Sequence, residues 1–249
     1  MRALYRLASP PGFYRFAGRV APFLWAACAI LLAAGLYGGL VVAPPDYQQG
    51  DGYRVIFVHV PSAWMSMFVY VCMAAAGAAT LIWRGKIAAA CARASAPVGA
   101  SFTLMTLVSG AFWGRPMWGA WWVWDARLTS ELILLFLYLG YIALSSSVHG
   151  RRDAARSGAL LLLVGAANIP IIHFSVDWWN TLHQPATIVK LGAPSIHPDM
   201  LRPLLLTASS FMFFYAAAML TSAQAILLEE AGGARWAREA ASARFPRPR

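Results

Sequence analysis

Residues 55–83 read VIFVHVPSAWMSMFVYVCMAAAGAATLIW, 29 consecutive positions without an Asp, Glu, Lys or Arg. That exceeds the roughly 20 helical residues needed to cross about 30 Å of hydrocarbon. Backbone amides out of reach of water must pair within their own segment, and so long an apolar run does not suit the short alternating strands of an outer-membrane barrel. The segment predicts a transmembrane helix. Similar runs at 20–43, 94–114, 128–148, 157–176 and 203–228 bring the expected spans to six. Composition agrees: of 249 residues, 59% are hydrophobic and 12% charged, and the mean hydropathy is +0.57. The expected fold is an all-α integral membrane protein, a six-transmembrane-helix bundle forming one domain over 1–249, with a basic tail at 229–249.

Basic residues orient this bundle. Four lie in the N-terminal arm (Arg2, Arg6, Arg15, Arg19), three near 84–93 (Arg84, Lys86, Arg93), three near 151–156 (Arg151, Arg152, Arg156) and five from Arg235 to Arg249. These fall on one side of the membrane, whereas Arg54, Arg115, Arg127, Lys190 and Arg202 fall on the other. The positive-inside rule therefore puts both termini in the cytoplasm and directs the loops at 44–54, 115–127 and 177–202 outward. The first apolar run is too long for the core of a cleavable signal, so that helix is expected to remain as an anchor.

Several function classes fall away. The net charge of +10 sits at helix ends rather than in a stripe interleaved with aromatics, which fits topology and anionic lipid better than nucleic acid. Only Lys86 and Lys190 are present and neither ends a Gly-x-x-x-x-Gly-Lys run, so an ATP-driven step must come from a partner. Cys28, Cys72 and Cys91 lie in or beside apolar helices, where no disulfide is expected. The chain also lacks the Cys-x-x-Cys-His signature of covalently attached haem.

The outward loops carry the distinctive chemistry. Trp118, Trp121, Trp122 and Trp124 crowd into seven positions just before Asp125. Indole suits either the membrane interface or a wide planar ligand. A belt scatters its residues around a bundle, as Trp25, Trp64, Trp83 and Trp236 do, whereas four in one loop make a local platform. The spacing of Trp118, Trp121, Trp122 and Asp125 would align them on one face of an interfacial helix, started by Pro116. Thr129 or Ser130 would then cap the next span. In the fifth helix, Asn168-Ile169-Pro170 predicts a kink.

Of five histidines, His59, His173, His183 and His197 lie at or beyond outer helix ends, and His149 lies on the cytoplasmic side. His59 reads either as an interfacial residue that stays wet or as an axial ligand for haem iron. His183, after Trp178 and Trp179, reads the same two ways; as a pair flanking the tryptophan segment, they point toward a ligand. His173 and Glu131, inside helices, are functional candidates by position, with a hydrogen bond to a neighbouring helix as the competing reading. His197 reads as a loop residue. Arg54, Arg115, Arg127 and Asp125 are the nearest outward charges; an arginine fork suits the carboxylates of haem, and the competing reading is a solvated loop charge or a helix cap.

The run Trp118-Gly-Ala-Trp121-Trp122-Val-Trp124-Asp125-Ala-Arg127-Leu-Thr-Ser130 resembles the WWD signature of haem-handling membrane proteins. With six spans, His59-Val60-Pro61 and Trp178-Trp179-Asn180-Thr181-Leu182-His183-Gln184, the chain resembles the haem exporter protein C (CcmC) family of bacterial system I cytochrome c maturation over roughly 10–230. The resemblance implies that His59 and His183 are axial ligands of a transient, non-covalent haem b, with Trp118, Trp121, Trp122, Trp124 and Asp125 supporting the porphyrin. It implies a periplasmic site on the inner membrane and delivery to a membrane-tethered haem chaperone rather than catalysis. The implied companions are ABC-transporter subunits and a small single-span protein. Two alternatives differ in class. A cytochrome c synthase of the same superfamily would carry more spans and a larger soluble region, and a permease would place its polar residues near the midplane.

Overall fold

The computed structural model describes residues 9–147, 150–183, 188 and 192–244. Arg2, Arg6, His149, Gln184, Lys190, Arg247 and Arg249, used above, lie outside them. Helix α1 (Pro10–Tyr37) runs into a π turn, Gly38–Val42. A 3₁₀ turn, Asp51–Val55, leads into α2 (Ile56–Trp83), followed by α3 (Lys86–Trp118) and α4 (Ala126–Ser147). Then come α5 (Arg151–Gly165), α6 (Asn168–Trp178), α7 (Pro198–Ala231) and α8 (Arg235–Arg244). Among the described residues there is no strand, only an isolated bridge between Asp46 and Gly50.

Six helical segments are long and apolar enough to cross a membrane, at 10–42, 51–83, 86–118, 126–146, 152–178 and 198–231. The fifth combines α5 and α6. Most exceed their apolar runs because charged terminal turns remain helical: Arg15 and Arg19 belong to α1, Arg115 to the last turn of α3 and Arg202 to α7. Arginine is a good helix former whose stem can lie along apolar surface while its head reaches water. The basic tail is likewise partly helical, as the end of α7 and α8.

The expected kink in the fifth span is an interruption. Gly165 ends α5 and Asn168 begins α6, putting Pro170 in a first turn, where its missing N–H leaves no intrahelical bond unmade. Asn168 Nδ2 donates to Ser130 O at 2.9 Å, pinning the break to α4.

Close helix packing rests on small residues facing large ones. At Gly99 of α3, an added Cβ would come within 2.2 Å of the Tyr138 ring of α4. Tyr138 is fully buried, donates its hydroxyl to Ser66 O of α2 at 2.7 Å, and meets Tyr70 edge-on at 5.2 Å. Three helices are locked there by one ring. On the other flank, a Cβ at Gly35 of α1 would sit 2.5 Å from Thr207 Oγ1 of α7. Buried hydroxyls find partners one turn back, as Thr103 does on Gly99 O (2.8 Å) and Thr207 on Pro203 O (3.0 Å), so they enter the bundle without an orphaned donor.

The tryptophan segment corrects the expected interfacial helix. Pro116 lies inside α3, which continues to Trp118, and residues 119–125 are non-helical. Gly119 ends α3 with φ +75°, a left-handed conformation that breaks the helical register of the indoles. Arg115 also donates its guanidinium to Gly119 O. The cap of α4 is Asp125 rather than Thr129 or Ser130: Leu128 N donates to Asp125 Oδ1 at 2.8 Å. A carboxylate there also complements the helix dipole.

The bundle thus has an aromatic end, with the connections at 43–55, 119–125 and 179–197, and a basic end, where α2 turns into α3 and α5 begins.

Candidate functional site

His59 stands in the first turn of α2, at the aromatic end, with its ring directed to α3. Its Nδ1 is 2.9 Å from Ser109 Oγ. Because the Ser109 hydroxyl donates to Met105 O at 2.6 Å, the oxygen is left to accept. Nδ1 of His59 is therefore the donor, and in the neutral ring Nε2 keeps its lone pair. One turn along α3, Trp113 meets the imidazole edge-on at 5.7 Å. Its indole nitrogen is fixed by donation to Gln49 Oε1 at 3.0 Å. Gly110 gives the ring room, since a Cβ there would lie 3.1 Å from His59 Cε1.

His183 follows α6 and is positioned from α4. Asp125, whose side chain is 6% exposed, spends Oδ1 on the α4 cap and presents Oδ2 3.4 Å from His183 Nδ1. A carboxylate only accepts, so this proton also belongs on Nδ1. The His183 backbone N–H donates to Thr181 Oγ1 at 2.9 Å, and Trp118 covers the ring edge-on at 5.0 Å. Burial lowers the His183 pKa from its ordinary value and Arg127 lowers it further, against the opposing pull of Asp125. The ring is neutral at pH 7.

His59 lies within coulombic reach of both His183 and Arg127. Arg127, in the first turn of α4, has Glu131, Asp125 and Asp177 within electrostatic reach but forms no ion pair within 4.0 Å among the described residues. Glu131 is 5% exposed, and its Oε1 has no hydrogen-bond partner among the described residues.

The four clustered tryptophans take different positions. Trp118 lies on His183, whereas Trp121 meets Phe112 at 5.6 Å with both rings exposed. Trp122 pairs with the exposed Trp124 at 5.4 Å, and its Nε1 is buried without a hydrogen-bond partner among the described residues. Other candidates serve local structure. Arg54 pairs with Asp51 at 2.9 Å and donates to Gly39 O at 2.7 Å, tying the 3₁₀ turn to the π turn. His197 is the N-cap of α7, accepting from Asp199 N at 3.3 Å. His173 is exposed and starts a ladder through Phe174 (4.7 Å) to Trp178 (5.4 Å) and Trp179 (5.7 Å).

Ser109, Trp113 and Gln49 escaped the sequence reading. The signal for the first two was the one-turn spacing of Ser109 and Trp113, with Gly110 between them, on a helix next to His59. Gln49 carries no comparable pattern.

The family described as heme exporter protein C, CcmC, matches residues 3–238. This chain belongs to the CcmC family. Heme exporter protein C of Bradyrhizobium diazoefficiens is 53% identical over 208 residues, covering 84% of this chain and 79% of that protein. The protein of the same name from Escherichia coli K12 is 49% identical over 211 residues, 85% of each chain. A ccmC-like mitochondrial protein of cytochrome c biosynthesis from Marchantia polymorpha is 47% identical over 193 residues, covering 78% of this chain and 82% of its own. This CcmC-family chain is a multi-pass membrane protein, with six candidate spans.

Proposed function

We propose that this chain holds haem b non-covalently through His59 and His183 as axial ligands and hands it to a membrane-tethered haem chaperone for c-type cytochrome biogenesis. The observation that carries the reading is the pair of oriented neutral imidazoles. Each has Nδ1 engaged, by Ser109 in one case and Asp125 in the other, so each presents Nε2 with a free lone pair. Metal-binding histidines commonly have this second-shell arrangement. Trp113 and Trp118 flank the two rings edge-on. Arg127 and the Trp122 N–H, which has no hydrogen-bond partner among the described residues, suit the carboxylates of the cargo.

The tryptophan segment acts as the apolar wall: Trp118 and Trp122 line it, and the exposed Trp121 and Trp124 present the outer surface that the chaperone meets. Non-covalent ligation allows release, in keeping with delivery rather than catalysis. The names of the relatives support haem export and cytochrome c biosynthesis as the setting. In this reading the bundle lies in the bacterial inner membrane with its aromatic end periplasmic and both termini cytoplasmic. ABC-transporter subunits and a small single-span protein act beside it.

The decisive experiment is a haem titration of the purified chain followed by its Soret band. His59→Ala and His183→Ala should each weaken and shift the band. Unchanged spectra in both variants would remove the ligand assignment.

A further inference from the structure

A large cavity lies at the opposite end of the molecule from these histidines. It has a volume of about 1080 Å³ and is framed by the basic ends of α2, α3, α4, α5 and α7 and the start of α8. Ligand-binding cavities span roughly 300–1,000 Å³, so this one can take a large organic molecule. Its walls are apolar: Leu162, Ala159, Tyr141 and Leu227 are all buried against it, and Trp236 of α8 closes one side.

The rim is cationic. Arg84 and Lys86 approach from the α2–α3 turn, Arg152 and Arg156 from the first turns of α5, and all four are exposed. Among the described residues none of the four has an ion-pair partner within 4.0 Å. Arg93, by contrast, is paired with Glu230 at 2.5 Å, leaving Glu229 as the other lining carboxylate. Counting five cations and two carboxylates, the lining carries a formal charge of +3. Charges serving only topology can sit anywhere around the helix ends. Here they converge from two connections onto one apolar-walled chamber, the combination that selects a molecule with an apolar body and clustered acidic groups.

We propose that this cavity is a second binding site, for an amphiphile with anionic carboxylate or phosphate oxygens gathered at one edge. Two sources share that chemistry: a porphyrin dicarboxylate, which would make the cavity a loading site for the cargo, and an anionic phospholipid headgroup. Among the described residues no His, Cys or Met lines the cavity, so recognition runs through carboxylate or phosphate oxygens and apolar faces. The site is therefore independent of the His59 and His183 assignment.

The test uses the full purified chain with metal-free protoporphyrin IX, which offers no iron to the two histidines, and nanodiscs of phosphatidylglycerol. Arg84→Gln/Arg152→Gln/Arg156→Gln is compared with Arg202→Gln, a charge loss at the aromatic end. In the triple variant, porphyrin binding at least about tenfold weaker, the size expected for one lost charge-assisted hydrogen bond, with Arg202→Gln unchanged, supports the site and identifies the porphyrin as its ligand. Unchanged porphyrin binding with loss of retained phosphatidylglycerol supports the site and identifies the lipid. If neither ligand is affected, the proposal is overturned. Should the triple variant fail to fold, the Arg127→Gln chain, which has lost the cation assigned to the porphyrin carboxylates at the aromatic end, supplies the same comparison with uncharged probes, protoporphyrin dimethyl ester and phosphatidylcholine. If each binds as well as its anionic counterpart, the proposal is overturned; weaker binding of either one supports it.

Discussion

Ser109 on α3 holds His59 on α2 through a 2.9 Å contact at Nδ1, so the orientation of one helix's imidazole is set by the neighbouring helix. In Ser109→Ala this bond is lost while a small side chain is kept, and the ring is free to rotate or change tautomer. Haem affinity is expected to fall about 10- to 100-fold, the usual effect of losing a second-shell partner of a metal-binding histidine. Thermal stability should change little, because Ser109 is only half-buried and its hydroxyl bonds back to its own helix. A Soret titration beside a melting curve separates the two effects.

Asp125 does two jobs with its two oxygens, capping α4 and orienting His183. Asparagine is also a good cap, so Asp125→Asn should keep the helix start but lose the carboxylate that fixes the tautomer. Asp125→Ala should lose both and cost about 1 kcal/mol more in stability. Comparable haem affinity in the two variants, with lower stability only in the alanine form, is the expected pattern.

Burial and Arg127 together lower the His183 pKa, so its iron-binding lone pair stays unprotonated at pH 7. Proton competition should therefore begin only below the ordinary histidine range of about 6.5. Haem affinity is expected to be level from pH 8 to 6.5 and to drop in more acidic buffer. Since Asp125 raises this pKa, Asp125→Asn should move the acid limb to still lower pH even as it weakens binding overall. Titrations of both proteins across this range check the sign.

Gly99 tests the packing. A Cβ at that position would lie 2.2 Å from the Tyr138 ring, which is buried and hydrogen-bonded to Ser66 O. In Gly99→Val, α3 and α4 must separate or Tyr138 must leave its partner. Overpacking of this kind costs about 1–3 kcal/mol, seen as earlier thermal unfolding. Tyr138→Phe, which keeps the ring, should cost less.

What the sequence determined by itself was the sort of protein this is. Six apolar runs, each long enough to span hydrocarbon, allow no other backbone solution than a helical bundle, because hydrogen-bond pairing in lipid is a local, length-dependent constraint. The tryptophan run, His59 and His183 were legible as candidates because their residue types are distinctive at those places. Helical periodicity misled at 118–125, where Gly119 turns the backbone left-handed and Asp125 starts a new helix. Only the tertiary structure decided that Ser109 and Trp113 face His59, that Asp125 reaches His183 from 58 positions away, and that Arg54 and Arg115 are spent on backbone carbonyls. Such pairings depend on how helices rotate and approach one another. That geometry is set by long-range packing of small against large residues, such as Gly99 under Tyr138, which local residue order does not encode.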